Sequence, residues 1–392
     1  MIIGIGLIAT YLVVQNFGYA ALQVWLLRRR QPYPRWAAVA LFSWATVMSF
    51  LFVLHLFSLG GWKSFLREWF YFPMAVEMVW NVLLLQVLFP AIILVVLIVR
   101  LRSRRPVAPL APDGMSRRKF LYLLSYGAAP AAAMGMGVHG LRTREDLQVR
   151  EYTIAITGLP AGLEGFTIAH VSDLHSGLFV GPARLKIISD ATNDLKADLV
   201  VITGDLINRD MDEFPAALAA IRHIESSRPI YICEGNHDVI PGSCVLVAAC
   251  ERSGLAMLYN KCQALSFPGG RLLLGGLSWD RCFEMAMRPR MIADLFPARQ
   301  EGDARILLAH HPDVFDVAQE ADLVLSGHTH GGQIMFGDVG LGRIRFKYWS
   351  GLYQHPGAGT KMIVSNGCGD WFPCRIGAPA EIGLVRLTRA AA

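Results

Sequence analysis

Acidic residues are almost missing from the first third of this chain: before residue 145 only Glu68, Glu77 and Asp113 carry a carboxylate. Residues 1–150 hold 16 Lys and Arg against 5 Asp and Glu, whereas residues 151–392 hold 21 against 26. The formal net charge of +6 therefore belongs to the N-terminal part alone. The C-terminal part has no general attraction to phosphate backbones. It also lacks any Lys/Arg-rich tract interleaved with aromatics, so no nucleic-acid partner is expected. Cysteine is absent before Cys233. The seven cysteines that follow contain no Cys-x-x-Cys metal motif, and their odd number leaves at least one unpaired in a monomer. In an oxidising compartment Cys368 and Cys374, close in sequence, are the expected disulfide.

What fills the N-terminal part is apolar. Of the whole chain 53% is hydrophobic, high for a soluble protein. Four apolar stretches, at about 2–27, 36–60, 73–99 and 120–141, are each long enough to cross a hydrocarbon core as a helix. Arginines crowd two of the connections: Arg28, Arg29, Arg30 and Arg35 in the first, and Arg100, Arg102, Arg104, Arg105, Arg117 and Arg118 with Lys119 in the third. The second holds only Lys63 and Arg67, offset by Glu68. Positive charge is retained on the cytoplasmic side, so the fourth span is expected to carry everything after residue 145 outward. "SRRKFL" at Ser116 reads either as an internal twin-arginine export motif or as a positive-inside anchor, and both place the C-terminal domain on the same side.

After the linker "RTREDLQVR" the pattern changes to short apolar runs bounded by polar turns. "GFTIAHVSDLH", "ADLVVITGDL", "RPIYICEGNHD", "ARILLAHHPD" and "ADLVLSGHTHGGQ" each read as a buried strand. "PARLKIISDATNDLKA" and "FPAALAAIRHIE" have helical spacing, so the domain is expected to be a layered α/β fold. Every one of the five runs finishes in metal-capable side chains at its C-terminal end, the edge where sites assemble in α/β sheets. Buried acids and imidazoles without partners cost several kcal/mol each, about 2–7 for a neutral polar group, and divalent metal would compensate them.

The ordered string "DLH … GDL … GNHD … AHH … GHTH" resembles the calcineurin-like metallophosphoesterase superfamily, and "GHTHGGQ" with "VSNGCGDWFPCRIGAPAEIGLVRL" looks like its membrane-anchored bacterial branch. The likeness covers residues 166–387 and leaves the first three apolar stretches unaccounted for. It implies a four-layer α-β-β-α sandwich, here following an N-terminal bundle of about four transmembrane helices, with residues 1–145 as the transmembrane region and 146–392 as an extracytoplasmic domain. It implies two divalent metal ions: Asp173, His175 and His330 holding the first, Asn236, His310 and His328 the second, and Asp205 shared between them. His310 is preferred to His311 because the family pattern has histidine two residues before proline. The mixed His/Asp/Asn set suits Mn, Fe or Zn.

The same resemblance implies a hydrolase acting on a phosphodiester, phosphomonoester or pyrophosphate, the nucleophile being a water shared by the two ions. His237 would protonate the leaving group as general acid, with Asp238 orienting its imidazole. Asn236, His237 and Arg375 are the candidate phosphate contacts, and a structural salt bridge is an equal reading of Arg375. Gly331 and Gly332 are expected to turn tightly beneath the ligands, and Gln333 to hydrogen-bond one of them. "CFEMAMRPRMIADLF" reads as an amphipathic helix packed on the domain or as a flexible lip beside the site. The expected location is the periplasmic face of a bacterial inner membrane, with membrane lipids as neighbours and an envelope lipid or cell-wall precursor as substrate. The alternative is a membrane sensor or partner-binding protein that uses the fold for recognition without turnover.

Overall fold

The computed structural model describes residues 129–390 except 243, 280–289, 338 and 341, together with residues 43, 46 and 47. The chain divides into two compact units, Met1–Leu141 and Arg142–Ala392. The first three expected spans, and the fourth before residue 129, fall outside the described residues apart from those three positions. From 129 the fourth is helical, as α1 (Ala129–Thr143). No helix among the described residues is long and apolar enough to cross a membrane.

In the second unit β1 (Leu147–Ile156) and β2 (Thr167–Val171) lead into α2 (Pro182–Asp194). Then follow β3 (Leu199–Thr203), α3 (Phe214–His223), β4 (Tyr231–Cys233), α4 (Val245–Arg252) and β5 (Ala256–Met257). An antiparallel pair, β6 (Lys261–Phe267) and β7 (Gly270–Gly276), precedes α5 (Arg290–Leu295), β8 (Asp303–Leu308) and β9 (Leu323–Ser326). The small ladder β10 (Met335–Phe336) and β11 (Val339–Gly340), the short α6 (Gly342–Arg345), and β12 (Gly351–Gln354), β13 (Lys361–Val364) and β14 (Ala380–Arg389) complete it. All five apolar runs are strands, and both segments of helical spacing are helices.

Two mixed six-stranded sheets result, ordered β1-β14-β2-β3-β4-β5 and β12-β13-β9-β8-β7-β6. In the first, β2, β3, β4 and β5 run parallel; in the second, β7, β8, β9 and β13 do. Strand side chains alternate between faces, and here both faces are apolar. Leu199 and Val201 of β3 join Ile306 and Leu308 of β8 and Leu323 and Leu325 of β9 in one core, so the sheets pack face to face. The intervening residues Leu307 and Val324 enter a second core with Ile292 of α5, Phe296 and Phe315. On the outer side of the first sheet Val200 and Ile202 are buried, as are Leu185 and Ile188 of α2 and Ala217 and Ile221 of α3. Each such side chain withdrawn from water contributes about 1.5–3 kcal/mol before entropy is counted. The part of the Met-rich segment that is described, α5, packs its Ile292 into the core as an amphipathic helix does; residues 280–289 fall outside the described set.

Candidate metal centre

The parallel strands of both sheets end at one edge, and the chain leaves them in sharp turns. Asp173, His175, Asp205, His328 and His330 have φ of 56°, 45°, 54°, 72° and 52°, in the left-handed region that non-glycine residues seldom occupy. Such conformations cost about 1–3 kcal/mol each and persist only where their surroundings over-determine them. Glycines make the room. A Cβ on Gly235 would lie 2.2 Å from the Asp205 Oδ1, and one on Gly327 would lie 2.2 Å from the Asp173 Oδ2.

The turns aim seven side chains at one place. Asp173 Oδ1 lies 3.1 Å from His330 Nε2 and 3.8 Å from His175 Nε2, and the two imidazole nitrogens face each other at 3.0 Å. Asn236 Oδ1 lies 3.2 Å from His310 Nε2 and 2.7 Å from His328 Nδ1. Asp205 joins the two groups: its Oδ2 is 3.4 Å from His175 Nε2 and 3.2 Å from His310 Nε2. Asp173, His175, Asp205, His310 and His330 are almost fully buried, and Asn236 is half-buried.

Two carboxylates, an amide oxygen and four imidazoles fit a pair of divalent cations. Lone pairs converge with too few protons to satisfy them, and His175 Nδ1 has no hydrogen-bond partner. Mixed nitrogen and oxygen donors suit Mn, Fe or Zn better than Ca. Without metal the acids and imidazoles pair with one another, and a cation would displace the proton that His310 holds. Burial opposes ionisation of Asp173 and Asp205, yet the imidazoles around them hold both carboxyls well below the usual range. Burial likewise opposes a proton on His310, but Asp205 and Asp173 outweigh it and lift its imidazole to about 10. Burial drives His175 and His328 the other way, well below the ordinary histidine value. His310 is the member of the "HH" pair inside this group. His311 accepts from the Asp313 N–H and stacks on His328 at 4.8 Å.

His237 stands at the rim. Its Nδ1 bonds the Asn208 carbonyl at 2.5 Å; a carbonyl only accepts, so Nδ1 carries the proton and Nε2 is the nitrogen left to act. Its ring meets that of His175 edge-on at 4.5 Å, and its backbone N–H donates to Asp205 Oδ1.

Four expectations need correction. Asp238 does not orient His237. Its buried carboxylate accepts from the backbone N–H groups of Asp205, Leu206 and Gly235, tying two ligand-bearing turns together. Burial and the neighbouring Asp205 raise it to about 7. Arg375 does not face a substrate. It is fully buried, its Nε donates to Asp370 Oδ1, and its two NH2 groups donate to the carbonyls of Asn366, Ala378, Gly367 and Gly369. One of them also lies 3.3 Å from His330 Nδ1, so Arg375 backs a ligand instead of binding phosphate. The Gln333 side chain bonds no candidate ligand; its amide donates to the Phe372 and Cys374 carbonyls and only its backbone N–H reaches the His330 carbonyl, while Gly331, Gly332 and Gln333 form the expected left-handed turn. Cys368 and Cys374 are not bridged. Both are buried thiols, and Cys368 donates to the Ser172 carbonyl. Arg375→Met is accordingly expected to lower unfolding free energy by about 3–5 kcal/mol, because it strands buried acceptors. Urea denaturation checks this, and unchanged stability with a raised KM would restore Arg375 to the substrate.

Other supporting groups had no clear signal in the sequence. Ser172 donates to Asp173 Oδ2 and receives a hydrogen bond from Thr203, which contacts His170. Hydroxyls just ahead of "D" in "VSD" and "TGD" were the available hint. Asp370 links Arg375 to Arg144, immediately after α1. Trp279 packs on His328 from the end of β7; an aromatic after an apolar run carries no message by itself.

The calcineurin-like phosphoesterase family profile matches residues 166–332, the span from β2 to the "GHTHGG" turn. The chain is 30% identical over 226 residues to an uncharacterized metallophosphoesterase of Helicobacter pylori, covering 55% of this chain and 58% of that protein. It is 29% identical over 295 residues to an uncharacterized metallophosphoesterase of Bacillus subtilis, covering 70% of this chain and 98% of the relative. It is 29% identical over 272 residues to a Danio rerio protein named as a transmembrane protein with metallophosphoesterase domain, covering 65% and 61% respectively. This chain thus spans little more than half the length of the Helicobacter pylori relative. Family profile, relatives and donor geometry agree: residues 166–332 carry a calcineurin-like phosphoesterase domain.

Proposed function

We propose that this protein is a membrane-anchored, metal-dependent phosphoesterase that hydrolyses a phosphodiester, phosphomonoester or pyrophosphate bond in an envelope lipid or cell-wall precursor. The observation that carries the reading is Asp205, whose one carboxylate oxygen lies within 3.4 Å of a histidine from each group. When bound, a metal pair there neutralises phosphoryl oxygens and acidifies water near neutral pH. The chain's own residues supply the rest. Asp173 and Asp205 provide fixed negative charge, and Asn236 reaches the rim as a neutral oxygen donor. His237, held by the Asn208 carbonyl, presents Nε2 as the proton carrier for a departing alkoxide.

The membrane part of the proposal is supported by the four apolar stretches and by the arginine-dense connections between them. On this reading the C-terminal domain lies on the periplasmic face of a bacterial inner membrane, where membrane lipids surround the anchor and lipid-linked phosphates lie within reach. Alkaline phosphatase fused at the C-terminus should be active in whole cells; a fusion active only when held inside the cell would overturn the location and leave the chemistry standing.

The enzymatic reading is tested with the full chain in detergent and bis-p-nitrophenyl phosphate. Turnover is expected with Mn and should fall by about a thousandfold or more after chelation, equivalent to about 4 kcal/mol of transition-state stabilisation. Absence of turnover with Mn, Fe and Zn alike would favour a sensor that only recognises its ligand.

A further inference from the structure

The two ends of the ligand row differ in character. At the His175 end stand polar groups, the Asn208 carbonyl and the His237 imidazole. At the His328 end stand rings: Trp279 at 5.0 Å and Phe346 at 5.2 Å from the His328 ring, with His311 5.6 Å from the one and 6.0 Å from the other. Trp279 also lies 5.8 Å from His310.

These rings are not sealed into the core. Trp279 and Phe346 are both half-buried, whereas Phe315 on the neighbouring turn is 1% exposed. Side chains whose sole task was to prop a ligand would gain by full burial, as Phe315 does. The position of Trp279 is also fixed from behind. Its backbone N–H donates to Glu234 Oε2 at 3.0 Å, and Glu234 lies two residues before Asn236, so the ring and the amide ligand are held by one connection.

We propose that Trp279 and Phe346 form a subsite for an apolar organic group attached to phosphorus, which makes the substrate a phosphodiester or substituted pyrophosphate and not a simple phosphomonoester. The inference rests on the phosphoesterase reading above and narrows its substrate class. In-line displacement sets the leaving oxygen beside the proton donor, here His237 at the His175 end. The group that phosphorus keeps stands equatorial, across from neither the leaving oxygen nor His237, and the His328 end is the side that offers it an apolar wall. Aromatic faces there desolvate an apolar substituent and stack on a planar one. A monoester keeps only charged oxygens on phosphorus and gains nothing from such a wall.

The test is calorimetric titration of the manganese-loaded full chain with methyl-, cyclohexyl- and phenylphosphonate, in the wild type and in Trp279→Ala and Phe346→Ala separately. The wild type should bind phenyl- or cyclohexylphosphonate at least about tenfold more tightly than methylphosphonate. Each substitution should bring that ratio toward one, and the second variant keeps the test open if the first fails to fold. Phenyl exceeding cyclohexyl identifies a planar aromatic group on the substrate; parity identifies an aliphatic one. A wild-type ratio near one, or a ratio that neither substitution moves, overturns the subsite while methylphosphonate binding leaves the phosphoesterase reading intact. Failure to bind any of the three phosphonates, together with absence of hydrolysis, would remove both.

Discussion

Asp205→Asn is expected to lower kcat/KM by about a thousandfold or more and to reduce bound metal from two equivalents to one or fewer. The substitution keeps side-chain shape and one oxygen, so the contact from the His237 backbone N–H can survive. What it removes is the negative charge at the side chain whose oxygen comes nearest to both His175 and His310, 3.4 and 3.2 Å, against 3.8 and 3.9 Å for Asp173. An amide bridges two cations poorly, and the two groups of imidazoles would lose the anion that holds their ligand geometry together. A thousandfold loss corresponds to about 4 kcal/mol, within what charge stabilisation at a phosphoryl-transfer site supplies. Metal analysis of the purified variant beside its Mn-dependent turnover is the measurement. Two equivalents bound with normal affinity would show that Asp205 is not shared.

His237→Gln should behave differently: kcat falls by about 10²–10⁴-fold, while metal content stays at the wild-type level. Its Nδ1–H is committed to the Asn208 carbonyl, so the ring has one nitrogen free for proton transfer. The loss should be largest for an ester with a poor alkoxide leaving group. It should shrink for p-nitrophenolate, which departs without needing a proton. One nitrogen of His237 also lies close enough to His175 and Asp205 to serve as a ligand. Loss of metal in the variant, with equal effects on both leaving groups, would assign it that role instead.

The strands and the positions of the candidate ligands are legible because both follow from local pattern. A run such as "LVVIT" has no polar atom beyond its last residue, so it has to lie inside a sheet covered on both faces. A run followed at once by glycine and an acid has to release that acid at the strand end. The same reasoning identified α2 and α3, whose apolar residues recur at helical spacing and whose first turns carry Pro182 and Pro215.

Asp238 and Gln333 adjoin metal-capable motifs and Cys368 lies near Cys374, yet nearness along the chain does not fix a shared task. Of the two readings of Arg375, the salt bridge is the one the structure shows, to Asp370. Asp238 follows His237 directly, yet its oxygens point back to the turn after β3. Cys368 and Cys374 are separated by a loop wrapped around a buried guanidinium, and that packing outweighs the short spacing.

By itself the amino-acid sequence determined the α/β class of the second unit and the placing of metal-capable side chains at strand ends, since burial periodicity and residue type act over a few neighbouring positions; the two-sheet layout was implied only by the family resemblance. Only the tertiary structure decided which polar groups touch which: that Arg375 backs His330, that the Asn208 carbonyl and not Asp238 holds His237, and that an aromatic rim flanks His328. Those pairings join residues brought together from separate strands, and a side chain takes its orientation from the partner that satisfies it once water is gone.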